Sequence, residues 1–333
     1  MLRQRALFRA LFISGLAAAI AAGCGIGPAE NGTFDRTLSV SGPIRLDLSD
    51  PSGDIRITGG AANQVKIHAE VHARGWLFQD ARKVLNEVVS HPPVEQTPDT
   101  IRLGKDFNGF HNVSIDYVIE VPDLTEVDAS VASGSVNLSK IHGPVKIDSA
   151  SGAIRVENIG RSVQINSASG SISASDLGED LRVSSASGSV TASNIKGDVR
   201  VHSLSGSTEI DHPGGRVSAD TASGSIEVRG AGNDVKSNSA SGSITVQGNP
   251  SGNSYWSLKT ASGSINIAVP SGSAFYLTAE AASGEIRTGI PIVVEEQGKH
   301  SLRARVGQPA RAGEPGGRVE IHTASGEINV KPS

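Results

Sequence analysis

The chain contains few cysteines, few aromatic residues and little net charge, and each of these shortages excludes some folds or functions. Its 333 residues contain one cysteine, Cys24, so no internal disulfide can form. Aromatic residues make up only 4% of the sequence, which suits a thin core better than a wide one. The formal net charge is −4 and no basic run stands out, so nothing predicts a nucleic-acid partner.

Catalytic and cofactor motifs are also missing. No G-x-S-x-G elbow stands in a strand–turn–helix setting, no phosphate loop is present, and the acidic residues are scattered without an evident pair. His68 and His72 share one face of a predicted strand, but no cysteine and no clear third ligand accompanies them. The sequence therefore predicts no cofactor and no metal site, and it favours a protein that is not an enzyme.

The first residues have the pattern of an export signal. A basic start, MLRQR, precedes an apolar stretch that is too short to span a membrane and ends in small residues. The segment AAGC, which ends at Cys24, resembles a bacterial lipoprotein signal. The resemblance implies a signal peptide over 1–23, lipid attachment at Cys24 and a membrane as partner.

Two further expectations follow for this end of the chain. Gly25 provides no aspartate signal for inner-membrane retention, so we expect an exported protein anchored to the cell envelope at the outer membrane. The sequence leaves open whether the protein faces the periplasm or the outside. Residues 24–33 are predicted to form a flexible tether.

A short motif, SASG, recurs with a fixed period. Its glycine returns every 18 residues from Gly134 to Gly242, and further copies follow at Gly263, Gly284 and Gly326. Gly53 marks an early variant of the same unit. Apolar and polar residues alternate before and after each motif, which indicates two short strands per unit with one buried face.

Like residues recur in columns at this period, which predicts that each unit stacks on the previous one. The sequence therefore predicts an all-β fold, a parallel β-solenoid with coils of about 18 residues. The inward columns comprise Val145, Val163, Leu181, Val199, Val217 and Val235 before the motif, and Ile154, Ile172, Val190, Thr208, Ile226 and Ile244 after it.

The motif itself is interpreted as the chemistry of a tight corner. Glycine allows backbone angles that other residues resist, and serine hydroxyls can bond to backbone groups at the turn. The alanines are predicted to point inward, where there is little room; they are Ala150, Ala168, Ala186, Ala222 and Ala240.

The flanks depart from the regular pattern. We expect one β-solenoid domain over 34–333, with strands and one capping or flanking helix at about 76–90 inside 34–125. Regular coils are predicted for 126–249 and larger coils for 250–333. An end cap is needed because an open solenoid end exposes both the core and unpaired backbone groups.

Two outward columns are candidate binding surfaces, and each is also compatible with an ordinary solvated strand face. A polar row could bind sugars, and a basic row beside it could meet acidic polysaccharide or lipid head groups. The basic row comprises Lys146, Gln164, Arg182, Arg200 and Lys236, and the polar row comprises Asp148, Asn166, Ser184, His202, Asp220 and Asn238.

The order of elements resembles a known family. Strands, one helix, the segment YVIEVP and then stacked SASG units are similar to the bacterial "putative adhesin" domains of unknown function, over about Phe34 to Val330. The resemblance implies a right-handed β-solenoid in an envelope protein and brings no active site with it. We expect a non-catalytic surface for adhesion, binding or scaffolding, with a polysaccharide or protein ligand. Two alternatives stay open: a polysaccharide-acting enzyme and a self-assembling structural protein.

Overall fold

The computed structural model describes residues 26–76, 80–104, 113–307 and 316–333. Most of them form strands, which build two long sheets, one of 14 strands and one of 15 strands. The buried side chains of both sheets form a single continuous cluster. This arrangement confirms the predicted all-β solenoid.

The middle of the chain forms regular coils, each with one strand in either sheet. The strands are β8 (Glu126–Ser133), β9 (Val136–Ile141), β10 (Val145–Ser151), β11 (Ile154–Ile159), β12 (Val163–Ser169), β13 (Ile172–Leu177), β14 (Leu181–Ser187), β15 (Val190–Ile195), β16 (Val199–Ser205), β17 (Thr208–Asp211), β18 (Val217–Ser223), β19 (Ile226–Ala231), β20 (Val235–Ser241) and β21 (Ile244–Gly248).

The pairing of these strands is parallel and joins residues 18 apart. Val145 pairs with Val163, and Val163 pairs in turn with Leu181. In the other sheet, Ile154 pairs with Ile172 in the same way. The predicted inward columns are buried throughout, so the period of the sequence is the height of one coil.

Each SASG corner requires glycine for two separate reasons. Gly152 has a φ of 123°, a backbone conformation that residues with a side chain rarely adopt. A Cβ atom placed there would also lie 1.9 Å from the carbonyl oxygen of Gly134, one coil away. The same close stacking continues along the column, which explains why the motif keeps its glycine.

The prediction that the alanines of the motif point inward was wrong. Ser149 and Ser167, the first serines of their motifs, are buried, whereas Ala150 and Ala168 are exposed. The alternation of the preceding strand continues into the corner, so the serine takes the inward position. There its hydroxyl donates to a backbone carbonyl two residues later; Ser167 Oγ lies 3.1 Å from the oxygen of Ser169.

A second corner uses a left-handed backbone conformation, without glycine in the coils from Lys140 to His212 and with Gly230 in the next coil. Asn158, Asp176 and Asn194 stand 18 residues apart and have φ values of 55°, 56° and 55°. Asparagine and aspartate tolerate this conformation better than most residues. The amide of Asn194 also donates to Asp176 Oδ1 at 3.0 Å, so polar side chains link successive corners.

The N-terminal end is built from pairings between distant segments. Its elements are β1 (Ile26–Ser39), β2 (Arg45–Asp50), β3 (Ile55–Gly59), β4 (Gln64–Trp76), α1 (Ala81–Ser90), β5 (Val94–Gln96), β6 (Thr100–Leu103) and β7 (Val113–Val121). Strands β2 and β3 form a coil directly beside β8 and β9, with Gly53 in the glycine column below Gly134. Beyond this coil, β7, β4 and β1 extend one sheet and β6 and β5 extend the other.

Two boundaries at this end differ from the prediction. Residues 26–33, assigned to a tether, belong to β1, which pairs antiparallel with β4. The predicted helix starts later, at Ala81, where the Asp80 side chain accepts the Arg82 backbone N–H at 3.0 Å. Leu85 packs over Gly32, so the helix covers the outermost strands.

The C-terminal end keeps the unit but changes the order of its coils. Its strands are β22 (Tyr255–Ser262), β23 (Ile265–Val269), β24 (Phe275–Ser283), β25 (Ile286–Thr288), β26 (Ile292–Gln297), β27 (Ser301–Val306), β28 (Gly317–Ser325) and β29 (Ile328–Pro332). The last strands of the chain lie inside the stack: β28 between β22 and β24, and β29 between β23 and β25. Strands β26 and β27 then close one sheet as an antiparallel pair.

Candidate binding face

The two candidate columns lie side by side on the outer face of the 15-stranded sheet. Lys146 pairs with Gln164 and Asp148 pairs with Asn166, and both columns continue coil by coil to β20. The structure therefore brings all of the predicted surface residues into two neighbouring rows on one continuous face.

Most of the charge in the basic column is neutralised by aspartates. Lys146 Nζ lies 2.8 Å from an oxygen of Asp148 and 3.7 Å from one of Asp128. Arg200 contacts Asp198 at 3.0 Å and Asp180 at 3.7 Å. These pairs are partly exposed and contribute little to stability, but they remove the free positive face that the sequence suggested.

The polar column is organised by hydrogen bonds between aspartate and asparagine. Asn166 donates to Asp148 Oδ1 at 2.7 Å, and Asn238 donates to Asp220 Oδ1 at 2.6 Å. Partial burial pushes the pKa of Asp148 upward, but hydrogen bonds from Lys146 and Asn166 outweigh burial and leave this pKa below its ordinary value. Asp148 is therefore a fixed, negatively charged acceptor at neutral pH.

A shallow groove runs along this face beside the polar column. It encloses about 950 Å³ and crosses six successive coils, from β2 to β16. Its floor consists of the outward alanines, including Ala132, Ala150, Ala168 and Ala186, and Leu204 stands in the same column with half of its surface exposed. The groove thus combines an apolar floor with a wall that carries carboxylate, amide, hydroxyl and imidazole groups.

The same column forms a second depression at the C-terminal end. This depression encloses about 710 Å³ over Ala261, Ala324 and Ala282, with Lys259 and His322 beside the floor. A chain-like ligand that runs along the solenoid axis would therefore meet the same kind of surface at both ends.

A family model decides the relationship of this chain to known proteins. The model, described as Toastrack DUF4097, matches residues 45–331, which include strands of both sheets from β2 into β29. The chain belongs to the Toastrack DUF4097 family. No curated protein is similar to it in sequence.

Three solved structures are similar to the Toastrack chain at low identity. A putative cell adhesion protein from Clostridium sporogenes has 13% identity and a TM-score of 0.22, and the similarity covers 91% of this chain and 100% of that one. A putative adhesin from Bacteroides fragilis has 14% identity and a TM-score of 0.29, with 90% and 97% covered. A putative lipid binding protein from Parabacteroides distasonis has 13% identity and a TM-score of 0.25, with 90% and 96% covered. At such scores the family match alone establishes the relationship.

The sequence missed a row of aromatic and arginine residues on the same face of this Toastrack solenoid. Arg318 on β28 pairs with Tyr255 on one side and with Tyr276 on the other. Tyr276 pairs in turn with Arg305 on β27. Two of the three tyrosines of the chain are therefore exposed in one row. The row is invisible in the sequence because β28, which carries Arg318, is inserted between two earlier strands.

The N-terminal end of the Toastrack solenoid contains a buried acid. Asp50 takes the inward corner position that serine occupies in the regular coils, and only 5% of it is exposed. Burial raises the pKa of Asp50 to about 7, opposed by a hydrogen bond from the Ser52 backbone and assisted by Asp116. Burial also raises the pKa of Tyr117, whose hydroxyl has no partner among the described residues.

The predicted signal peptide over 1–23 and the lipid attachment at Cys24 lie outside the described residues of the Toastrack chain. Within the part that the structure describes, no helix is long and apolar enough to cross a membrane. The membrane partner and the location at the envelope stay predictions.

Proposed function

We propose that the protein is a non-catalytic, lipid-anchored envelope protein that binds polysaccharide along the outer face of its 15-stranded sheet. The single observation that supports this most is the alanine-floored groove beside the polar column. Its apolar floor can contact the faces of sugar rings, and Asp148, Asn166 and His202 can hydrogen-bond to hydroxyl groups.

The row of tyrosines and arginines supports the same type of ligand. Tyrosine offers a flat apolar face with a polar end, and arginine can bind a carboxylate with two parallel hydrogen bonds. Tyr276 and Arg318 lie on the face that carries the groove, near the N-terminal ends of their strands. Sugars with acidic groups would therefore use both surfaces.

The ends of the solenoid argue against the alternative of a self-assembling filament. End-to-end stacking requires each end to present a parallel coil. Here three of the four sheet termini are antiparallel pairs, namely β1 with β4 and β5 with β6 at one end and β26 with β27 at the other. Only β25 ends its sheet as a parallel strand. The helix α1 also covers β1 and β4.

A binding assay with a matched pair of variants tests the proposal. Wild-type mature chain and an Ala168→Trp variant, which fills the groove, are passed over immobilised neutral and acidic envelope polysaccharides. We expect retention of the wild type and loss of retention in the variant. A Thr191→Trp variant places the same bulk on the outer face of the other sheet and should bind like the wild type. Absence of retention on every polymer, or equal loss in both variants, would count against the proposal.

The anchor is tested separately by fractionation of cells. Wild-type protein should remain with membranes and move into a detergent phase, because several acyl chains on one residue hold a protein firmly. The Cys24→Ser variant should lack lipid by mass spectrometry. A wild-type protein without lipid at Cys24 would overturn this part of the proposal.

A further inference from the structure

Three side chains that commonly bind metal ions meet on the outer face of the N-terminal end. Glu70 and His72 project from one face of β4, and the register of β4 and β7 places Glu70 directly opposite Asp116. One ligand atom from each of the three residues lies within 4.8 Å of the other two. The face belongs to the 14-stranded sheet and is separate from the proposed binding groove.

The charges at this point are unbalanced. Glu70 and Asp116 are carboxylates directly opposite each other on antiparallel strands, a placement that destabilises a sheet. Lys66, the nearest lysine on β4, pairs with Glu120 instead, at 2.8 Å. Among the described residues, no lysine or arginine forms an ion pair with Glu70 or Asp116. A cation between the two strands would remove this repulsion.

The hydrogen bonds of His72 fit a metal ligand. Its Nδ1 lies 3.0 Å from Asn31 Oδ1 and its Nε2 lies 3.1 Å from Asp116 Oδ2. Both neighbours are acceptors in this orientation of the Asn31 amide, and a neutral imidazole carries only one N–H. With a metal ion on Nε2, the Nδ1–H donates to Asn31, as the second nitrogen of metal-bound histidines usually does to an oxygen.

A hydrogen bond from the backbone also fixes the orientation of Asp116. Its Oδ1 accepts the backbone N–H of Asp54 at 2.7 Å, which leaves Oδ2 directed at His72. Two of the three ligands are thus oriented by partners outside the cluster, and such orienting partners strengthen metal binding.

We propose that Glu70, His72 and Asp116 bind one Zn²⁺ ion, with a remaining coordination position open to water. Zinc accepts imidazole nitrogen and carboxylate oxygen, and three protein ligands with one water are a common arrangement for it. The ion joins β4 to β7 and so stabilises the end of the solenoid, because the unfolded chain has no preformed site. The sequence showed the two histidines but not this cluster, since the pairing of β4 with β7 could not be derived from local pattern. This inference is independent of the proposed function.

Calorimetric titration with ZnCl₂ tests the site in metal-stripped mature chain that carries Cys24→Ser. We expect one Zn²⁺ per chain and a melting temperature that rises with zinc concentration. The His72→Gln and Asp116→Asn variants should each bind at least about tenfold more weakly. Circular dichroism confirms that the variants remain folded, and the visible spectrum of bound Co²⁺ gives a second signal for the ligand set.

A Glu120→Gln variant is the matched control. It removes a carboxylate from the same strand and the same face as Asp116 but leaves the cluster intact. Its zinc affinity should equal that of the wild type. The proposal is overturned if the wild type shows no zinc binding, or if His72→Gln and Asp116→Asn bind zinc as tightly as the wild type does.

Discussion

The middle of the solenoid and its two ends obey different rules. In the middle, every strand pairs with residues 18 positions away, as Lys146 does with Gln164. At the ends, pairing joins distant parts of the chain: Arg45 contacts Glu126, 81 residues on, and Asn266 contacts Asn329, 63 residues on.

The difference shows how a solenoid of similar units acquires a defined length. Local pairing can nucleate in any coil and propagate, and it does not limit the number of coils that stack. The distant pairings at the ends cost more loop-closure entropy, but they replace an open coil with antiparallel strands and a helix. The middle therefore supplies the repeated surface, and the ends determine where it begins and finishes.

The largest effect should come from removal of the last coil. Truncation after Gly316 deletes β28 and β29, so β24 loses its parallel partner and the core beside Trp256 opens. In hydrogen exchange read by mass spectrometry, we expect the amides of 255–306 to lose protection while those of 145–223 keep it.

A shorter truncation serves as the control. Removal of Lys331, Pro332 and Ser333, which are exposed, should leave protection of 255–306 nearly intact. Equal protection in the long truncation and the wild type would show that the ends are no more cooperative than the middle.

The next largest effect concerns Asp50, which occupies at the N-terminal end the inward corner position that serine occupies in the regular coils. The folded state binds a proton more tightly than the unfolded state, because burial raises the pKa to about 7 from 3.8. This contribution to stability is complete below about pH 4 and is lost as pH rises through 7, by up to about 4 kcal/mol. Denaturant melts of Asp50→Asn in metal-free buffer should show a flatter pH dependence than the wild type.

The exposed Asp123 provides the comparison for that measurement. Asp123→Asn should leave the pH dependence of the wild type unchanged. A wild-type stability that does not fall between about pH 4 and pH 8 would mean that Asp50 titrates normally.

A glycine pair tests the corner chemistry inside the middle region. A Cβ at Gly170 would lie 2.0 Å from the Gly152 carbonyl oxygen, and its φ is 120°. Gly170→Ala should therefore lower the free energy of unfolding by about 3 kcal/mol. A Cβ at Gly232 would meet no atom within 4 Å beyond its chain neighbours, so Gly232→Ala should change stability little. Similar melting temperatures for both variants would refute the close stacking.

The smallest effect is expected for surface ion pairs, in either region. Arg200→Gln in the middle and Arg45→Gln at the N-terminal end each remove contacts to two carboxylates. Both should cost less than about 1 kcal/mol and the cost should shrink further at high salt. Thermal melts at two salt concentrations check this, and a large loss for Arg45 alone would show that its pairs help to close the end.

The same contrast explains what could be predicted from the sequence. The regular coils follow from local alternation and a fixed period, so the columns of Val145 and Ile154 were placed correctly. The orientation of Ala150 was wrong because the interpretation used the size of alanine and not the phase of the preceding strand, which places Ser149 inward. The groove floor was missed for the same reason.

The ends could not be predicted in detail because their contacts depend on pairings between distant segments. Nothing near Gly317 indicates that this segment enters the stack beside Tyr255, and so the row of tyrosines and arginines stayed hidden. Residues 26–33 look like a tether by composition, yet they form a strand once β4 offers an edge. Asp116 likewise becomes a neighbour of His72 only through the register of β4 and β7.

The insertion of β28 between β22 and β24 has a consequence for the timing of folding. Residues 275–306 emerge from the ribosome before the strand that must separate them from the rest of the stack. They cannot take their final place until residues 317–332 have been synthesised. This end of the solenoid is thus completed late in synthesis, and a chain interrupted before residue 317 is left with an open end.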